Sequence, residues 1–216
     1  MSHYQKFDCR YKRWRKCLKA KQCPIEQAVK QAALAELCSL ESRNLIELYF
    51  GDESGFCNVP VVARAWQFRD EEIRITPQRS KRLNVFGFLK RSNNSSMWTS
   101  EKAITAQFVV AAIEEWVTEK LSKPRVLILD NARIHRSCLM QSKVAEWEAK
   151  NLYIFFLPAY SPHLNLIETL WRKMKYEWLK PEDYASFEKL TEAVKKILSE
   201  IGKEYKIKFR DRVFTK

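Results

Sequence analysis

Residues 152–171 read "LYIFFLPAYSPHLNLIETLW", and the way this stretch divides decides the architecture of the chain. Leu152 to Leu157 form a short, strongly apolar run of the kind that fills a strand covered on both faces. Pro158 and Pro162 then bracket a polar corner, and a helix is predicted over about 165–179. Along it Ile167, Leu170, Trp171, Met174 and Trp178 recur at threes and fours and mark the buried stripe. A single carboxylate, Glu168, stands in the first turn. With Asn165 as the N-cap, Glu168 falls at the third helical position, where a capping-box glutamate reaches back to the cap's backbone N–H. The alternative is that Glu168 belongs to a set of acidic residues.

Working upstream, "RVLILDN" (125–131) is a second buried strand. A helix over about 137–149, with Met140, Val144 and Trp147 on one stripe, connects the two strands. Another helix is expected within 104–121, where apolar residues sit at 108, 109, 112, 113, 116 and 117. The first half of the chain reads differently. A helix over 24–43, opened by Pro24, leads into a strand at Leu45–Phe50 that breaks at Gly51, Asp52 and Gly55. "VVARAWQF" (61–68) and "RLNVFGFLK" (82–90) supply two further strands. Three antiparallel strands followed by helix, strand, helix, strand, helix predict an α/β domain. Its mixed sheet holds three antiparallel and two parallel strands, with helices on both faces. Ribonuclease H-like folds have this order. A doubly wound nucleotide-binding fold would need a glycine-rich phosphate loop, and none of the four glycines lies in one.

At 216 residues and 46% hydrophobic content the chain can bury one sizeable core. The expected organisation is a basic linker (1–23), one domain (24–205) that closes with a helix at 186–201, and a basic tail (206–216). Lys and Arg number 39 against 26 acidic residues, a net charge of +13, which favours a polyanionic partner and DNA first. Basic clusters occur near the start, at 78–91, and in "WRKMK" with the last dozen residues. Six cysteines, at 9, 17, 23, 38, 57 and 138, show neither zinc nor disulfide spacing and read as reduced thiols. No apolar run of membrane-spanning length and no signal-peptide core is present. The expectation is a cytoplasmic, nucleoid-associated protein.

Three carboxylates close three elements: Asp52 after the first strand, Asp130 at the end of "VLILD", and Glu168 at the helix start. If the first strand lies beside "VLILD", the two aspartates sit side by side and the helix brings Glu168 over them. Clustered like charges repel and raise one another's pKa unless a cation neutralises them. Hard oxygen donors in this number suit Mg²⁺ or Mn²⁺, and two such ions support phosphodiester chemistry. Each aspartate taken alone is equally a polar strand end that starts an Asx turn. Glu168, Arg172 and Lys175 follow at i, i+4 and i+7, a ridge that suits either a phosphate-binding edge or an intrahelical ion pair. Arg79, Lys81 and Arg82 are candidate phosphate contacts. Asn131 and His135, just past Asp130, are candidates for contact with the metal site or DNA, and Trp66 for base stacking or core packing.

The segments "YFGDESGF", "VLILDNARIH" and "LPAYSPHLNLIETLW" together resemble the signature blocks of the DDE transposases, in the mariner-like group that includes many bacterial insertion-sequence transposases. The resemblance covers roughly residues 10–205. It implies a ribonuclease H-like catalytic domain in which Asp52, Asp130 and Glu168 hold two divalent ions. It further implies cleavage at transposon ends and transfer of the 3′-hydroxyl into target DNA, typically at TA, by a homo-oligomer assembled on DNA. The chain departs from the pattern at Leu166, where relatives usually carry proline, and at His163, often acidic in relatives. Family members carry helix-turn-helix modules before the catalytic domain, so an upstream-encoded module is an expected partner. A non-catalytic DNA- or partner-binding fragment, and a ribonuclease H-like nuclease or resolvase, are the alternative readings.

Overall fold

The computed structural model describes residues 23–59 and 81–209. The expected strand at 61–68 with Trp66, Arg79, most of the basic linker and the end of the basic tail lie outside the described residues. The described chain runs α1 (Pro24–Ser42), β1 (Glu47–Cys57), β2 (Arg82–Lys90), β3 (Ser95–Ser100), α2 (Ala106–Trp116), β4 (Arg125–Leu129), α3 (Cys138–Ala149), β5 (Leu152–Phe156), α4 (Ile167–Lys173) and α5 (Phe187–Ser199). The sheet has five strands in the order β3-β2-β1-β4-β5. β1, β2 and β3 pair antiparallel, and β1–β4 and β4–β5 pair parallel. The mixed sheet of the sequence reading is therefore present, with one strand drawn from a different place.

That strand is β3, "SSMWTS", which is half-buried along its whole length. It lacks an apolar face because it is the outer strand, and sheet edges are commonly polar. Its register against β2 is set by the turn between them. Asn93 there takes a left-handed φ of 67°, a conformation asparagine tolerates better than most residues.

β1 runs six residues past the expected break at Gly51. Gly51 is paired within the ladder, opposite Phe88. A Cβ there would stand 2.7 Å from Leu129 Cδ2 and 3.1 Å from the Phe88 ring, so the glycine answers close packing across the sheet rather than a turn. The consequence for function is direct: Asp52 and Glu53 sit inside a strand and point to opposite faces.

Strand alternation divides the core into two layers. Leu48, Phe50, Val126 and Ile128 pack with Leu34 of α1, with Ile167, Leu170 and Trp171 of α4, and with α5. Tyr49, Phe88, Leu127 and Leu129 pack on the other face with Val109 and Ile113 of α2 and Met140 and Trp147 of α3. The expected helix at 104–121 is shorter, starting after Thr105, whose hydroxyl accepts from the Phe108 N–H. Among the described residues no helix is long and apolar enough to cross a membrane. The described cysteines, 23, 38, 57 and 138, are free thiols.

Candidate active site

The parallel pairing of β1 and β4 positions the first two carboxylates. Its register ends at Phe50 opposite Ile128, and Asp52 and Asp130 each follow two residues later. The third carboxylate arrives from the loop after β5. Pro162–Leu164 form a 3₁₀ turn and α4 begins at Ile167 with Glu168 as its second residue. Asp52, Asp130 and Glu168 all line one cleft of about 550 Å³, whose remaining wall includes Asn131, Tyr160 and Asn165.

Asn165 does not cap α4. The cap position is Leu166, which has helical backbone angles and no side-chain cap bond. Asn165 is instead buried, 4% exposed, and its Nδ2 donates to the Gly51 carbonyl on β1 at 3.1 Å. The side chain is spent tying the start of α4 to the strand that carries Asp52, so no capping box restrains Glu168. Trp171, one turn further on, donates its Nε1–H to Asp52 Oδ2 at 3.0 Å. The apolar stripe of α4 thus also supplies a polar contact to the cleft.

The electrostatics of the three carboxylates differ. Asp52 is 9% exposed, and its pKa is pushed up to about 8 by burial first, then by Glu168, Glu53 and Asp130. Glu168 is raised by desolvation, with Asp130 and Glu53 adding to it and Lys175 opposing. Burial would raise Asp130 too, but hydrogen bonds from His135 and the Ala132 N–H outweigh it and hold the carboxyl low. Those bonds measure 2.8 Å and 3.0 Å, both to Oδ1.

The remaining sequence candidates divide by position. Lys175 is half-buried beside the cleft, its ammonium 5.2 Å from the centre of the Phe56 ring. Burial first, and then Arg82, lower its pKa, while Glu168 and Asp52 act in the opposite direction. Lys175 lies in a π-helical turn, Met174–Trp178, that continues α4; such turns recur at functional sites. Arg172 is exposed and makes no ion pair with Glu168 among the described residues, so the intrahelical pairing is not formed. Lys81 is exposed against the Phe187 ring. Asn131 donates to the Leu157 carbonyl and accepts from Arg136, which extends along the Phe156 ring. His135 is wholly buried and serves Asp130, not the surface.

Two site residues escaped the sequence reading. Glu53 follows Asp52 directly, and only a strand that continued through Gly51 would have turned it toward His135. Tyr160 holds a left-handed φ of 57° at the cleft wall, and nothing in a polar corner between prolines marks that residue for strain.

The donor set fits a divalent cation of hard character. It is made of carboxylate oxygens, and the Asn165 Oδ1 beside it is buried with no protein partner. As the side chains stand, no three His, Cys, Asp or Glu among the described residues are drawn close enough to enclose an ion.

The family model for DDE superfamily endonucleases matches residues 47–191, and the chain belongs to that family. Among curated proteins, the insertion element IS630 uncharacterized 39 kDa protein of Shigella sonnei is 24% identical over 131 residues. The match covers 59% of this chain and 37% of that protein, so the chain corresponds to well under half of this relative's length. The catalytic domain of Mos1 mariner transposase superposes with a TM-score of 0.52 at 14% identity, covering 89% of this chain and 88% of that one. The mariner Mos1 paired end complex with Mg gives a TM-score of 0.57 at 14% identity, over 97% of this chain and 64% of that one. At such identities the superpositions establish a shared fold.

Proposed function

We propose that this domain cuts DNA at the ends of a mobile element and joins the freed 3′-hydroxyl to target DNA, with Asp52, Asp130 and Glu168 holding two Mg²⁺ or Mn²⁺ ions. The observation that carries this reading is that Asp52, Asp130 and Glu168 line one cleft with Asp52 buried in it, where burial and the neighbouring carboxylates push the Asp52 carboxyl up to about 8. Such a group keeps its proton at neutral pH unless a cation displaces it, and oxygen donors of this kind select hard divalent ions. Asp52, Asp130 and Glu168 would hold such ions, whose Lewis acidity would then be available to a phosphate and to an attacking water or hydroxyl.

The chain's own residues prepare that site. Trp171 fixes one oxygen of Asp52, and His135 with the Ala132 N–H fixes one oxygen of Asp130. Asn165 holds the start of α4 against β1 and so sets where Glu168 enters. Lys175 and Arg82 flank the carboxylates, and with Arg172, Lys81 and Arg79 they would contact the DNA backbone independently of sequence. The substrates are element terminal repeats and a TA target. The working form is a homo-oligomer assembled on DNA, as in the paired end complex of Mos1, with an upstream-encoded helix-turn-helix module to recognise the ends.

The test is cleavage and strand transfer on labelled terminal-repeat duplexes with Mg²⁺ or Mn²⁺, the recognition module being supplied in trans. Metal-dependent products that vanish in Asp52→Asn and Asp130→Asn are expected. Undiminished products in either variant would remove the proposal.

A further inference from the structure

Behind Asp130 lie two ionisable groups that do not line the cleft, a wholly buried His135 and a half-buried Glu53. His135 is 0% exposed, its ring 6.2 Å from that of Phe86. Its Nδ1 stands 2.8 Å from Asp130 Oδ1. Its Nε2 stands 3.5 Å from Glu53 Oε2, and both of these atoms are buried without a hydrogen-bond partner. Glu53 reaches this place because it follows Asp52 on β1 and therefore faces the opposite side of the sheet.

A buried donor or acceptor left unmade is costly, and here two such atoms face each other across 3.5 Å. One proton between them removes both deficits. Carried by Glu53 it is donated to a neutral imidazole, and carried by His135 it is donated to a carboxylate. In either arrangement Nδ1 keeps its own hydrogen, and Asp130 Oδ1 receives it. The Ala132 N–H donates to the same oxygen at 3.0 Å, which leaves Oδ2 for the cleft.

We propose that Glu53 and His135 are positioning residues, a carboxylate–imidazole pair facing each other through buried atoms, that locks the Asp130 carboxylate in one orientation with a single oxygen presented to the cleft. The inference deepens the proposed function and rests on Asp130 being a metal ligand. Partners that orient a ligand from behind commonly change metal affinity by 10–100-fold when removed.

Two readouts separate this proposal from the metal reading. The first uses the metal-free protein labelled with ¹⁵N-histidine, the His135 signal being assigned by its loss in His135→Asn. A protonated Nδ1 protected from solvent exchange is expected, retained in Glu53→Gln, which offers Nε2 a side-chain amide, and lost or broadened in Glu53→Leu. The second is calorimetric Mn²⁺ binding. About a tenfold or greater loss is expected in Glu53→Leu and His135→Phe, with affinity restored to within about threefold in Glu53→Gln and in His135→Asn, whose amide can replace the Nδ1–H donor.

An unprotonated Nδ1 in the wild type, or unchanged ring signals in a folded Glu53→Leu, overturns the pair. So does wild-type Mn²⁺ affinity in folded Glu53→Leu and His135→Phe. If the wild type binds no Mn²⁺, the metal reading of the cleft falls and the ring spectra alone decide the pair. If the leucine and phenylalanine variants do not fold, the decision passes to the conservative pair: retained ring signals and Mn²⁺ affinity support the proposal, and their loss overturns it.

Discussion

Replacing Asp52 by asparagine should make the metal-free protein more stable at neutral pH while removing its response to metal. The Asp52 carboxyl ionises at about 8 in the folded chain against an ordinary 3.8. A raised folded-state pKa means that the group's contribution is intact below the unfolded value and is lost progressively as pH rises toward the folded one. At pH 7 the unfolded chain gains about three pKa units of ionisation free energy that the folded chain cannot share, or roughly 4 kcal/mol at 1.4 kcal/mol per unit. Asparagine has nearly the same shape, stays neutral, and keeps an oxygen to accept the Trp171 Nε1–H.

The assay is urea or thermal unfolding in chelator, wild type beside Asp52→Asn, from pH 4 to pH 8. The variant should lead by at least about 1.4 kcal/mol at pH 7, the equivalent of one pKa unit. Its lead should shrink to below about 1 kcal/mol at pH 4, where the native Asp52 is protonated and the unfolded one only partly ionised. Adding Mn²⁺ should stabilise the wild type by mass action and leave the variant nearly unmoved, so that the order narrows or reverses. A variant less stable than the wild type at pH 7 in chelator, or a lead independent of pH, would refute the claim that uncompensated burial of this charge is what the cleft stores.

Other outcomes follow from the same geometry. Glu168→Gln and Glu168→Ala should both change unfolding free energy by less than about 0.5 kcal/mol, because no capping box engages this residue, while abolishing metal-dependent cleavage; a larger loss for alanine alone would restore the capping role. Asn165→Ala should cost about 1–3 kcal/mol in urea unfolding, since the buried Gly51 carbonyl loses its donor, and should lower cleavage through the start of α4. Tyr160→Gly should raise stability by about 1 kcal/mol, relieving a left-handed backbone at a residue with a Cβ; an unchanged or lower melting point would show that the phenol ring's own contacts outweigh the strain. Trp171→Phe keeps the ring packing against Phe56 but deletes the donor to Asp52, so it should cost about 0.5–1.5 kcal/mol in urea unfolding while leaving the pH dependence of the Asp52→Asn lead unchanged up to pH 7.

The sequence made the fold legible wherever burial imposed a period. "VLIL" is a strand covered on both faces, as expected, whereas "LYIFF", expected to be the same, is the other outer strand, with only Leu152 buried and Tyr153 41% exposed; the stripe of α4 is marked at threes and fours. It failed where a residue served packing instead of its usual local preference. Gly51 reads as a break and acts as a space for Leu129 and Phe88. Asn165 reads as a cap and acts as a cross-link to β1. "SSMWTS" draws no strand assignment because an outer strand needs no apolar face. That Asp52, Asp130 and Glu168 line one cleft follows from the parallel pairing of β1 with β4 and the entry of α4 after β5, although Asp52 lies inside β1 and not at its end.

Glu53 was lost through one of those errors, and the loss exposes how the site is built. Once β1 continues through Gly51, adjacent carboxylates on one strand must serve opposite faces of the sheet. Asp52 enters the cleft, where α4 supplies Trp171 and Glu168. Glu53 enters the layer of Phe86 and His135 and reaches Asp130 from behind. A sheet edge with both acids turned outward would present them to water, where neither burial nor mutual repulsion could poise a metal site. On the two sides of one strand, a buried Asp52 and a half-buried Glu53 couple the two core layers to the same proposed ligand set. Packing faults at Phe86 or Leu129 should therefore reach the chemistry through Asp130, although neither side chain lines the cleft.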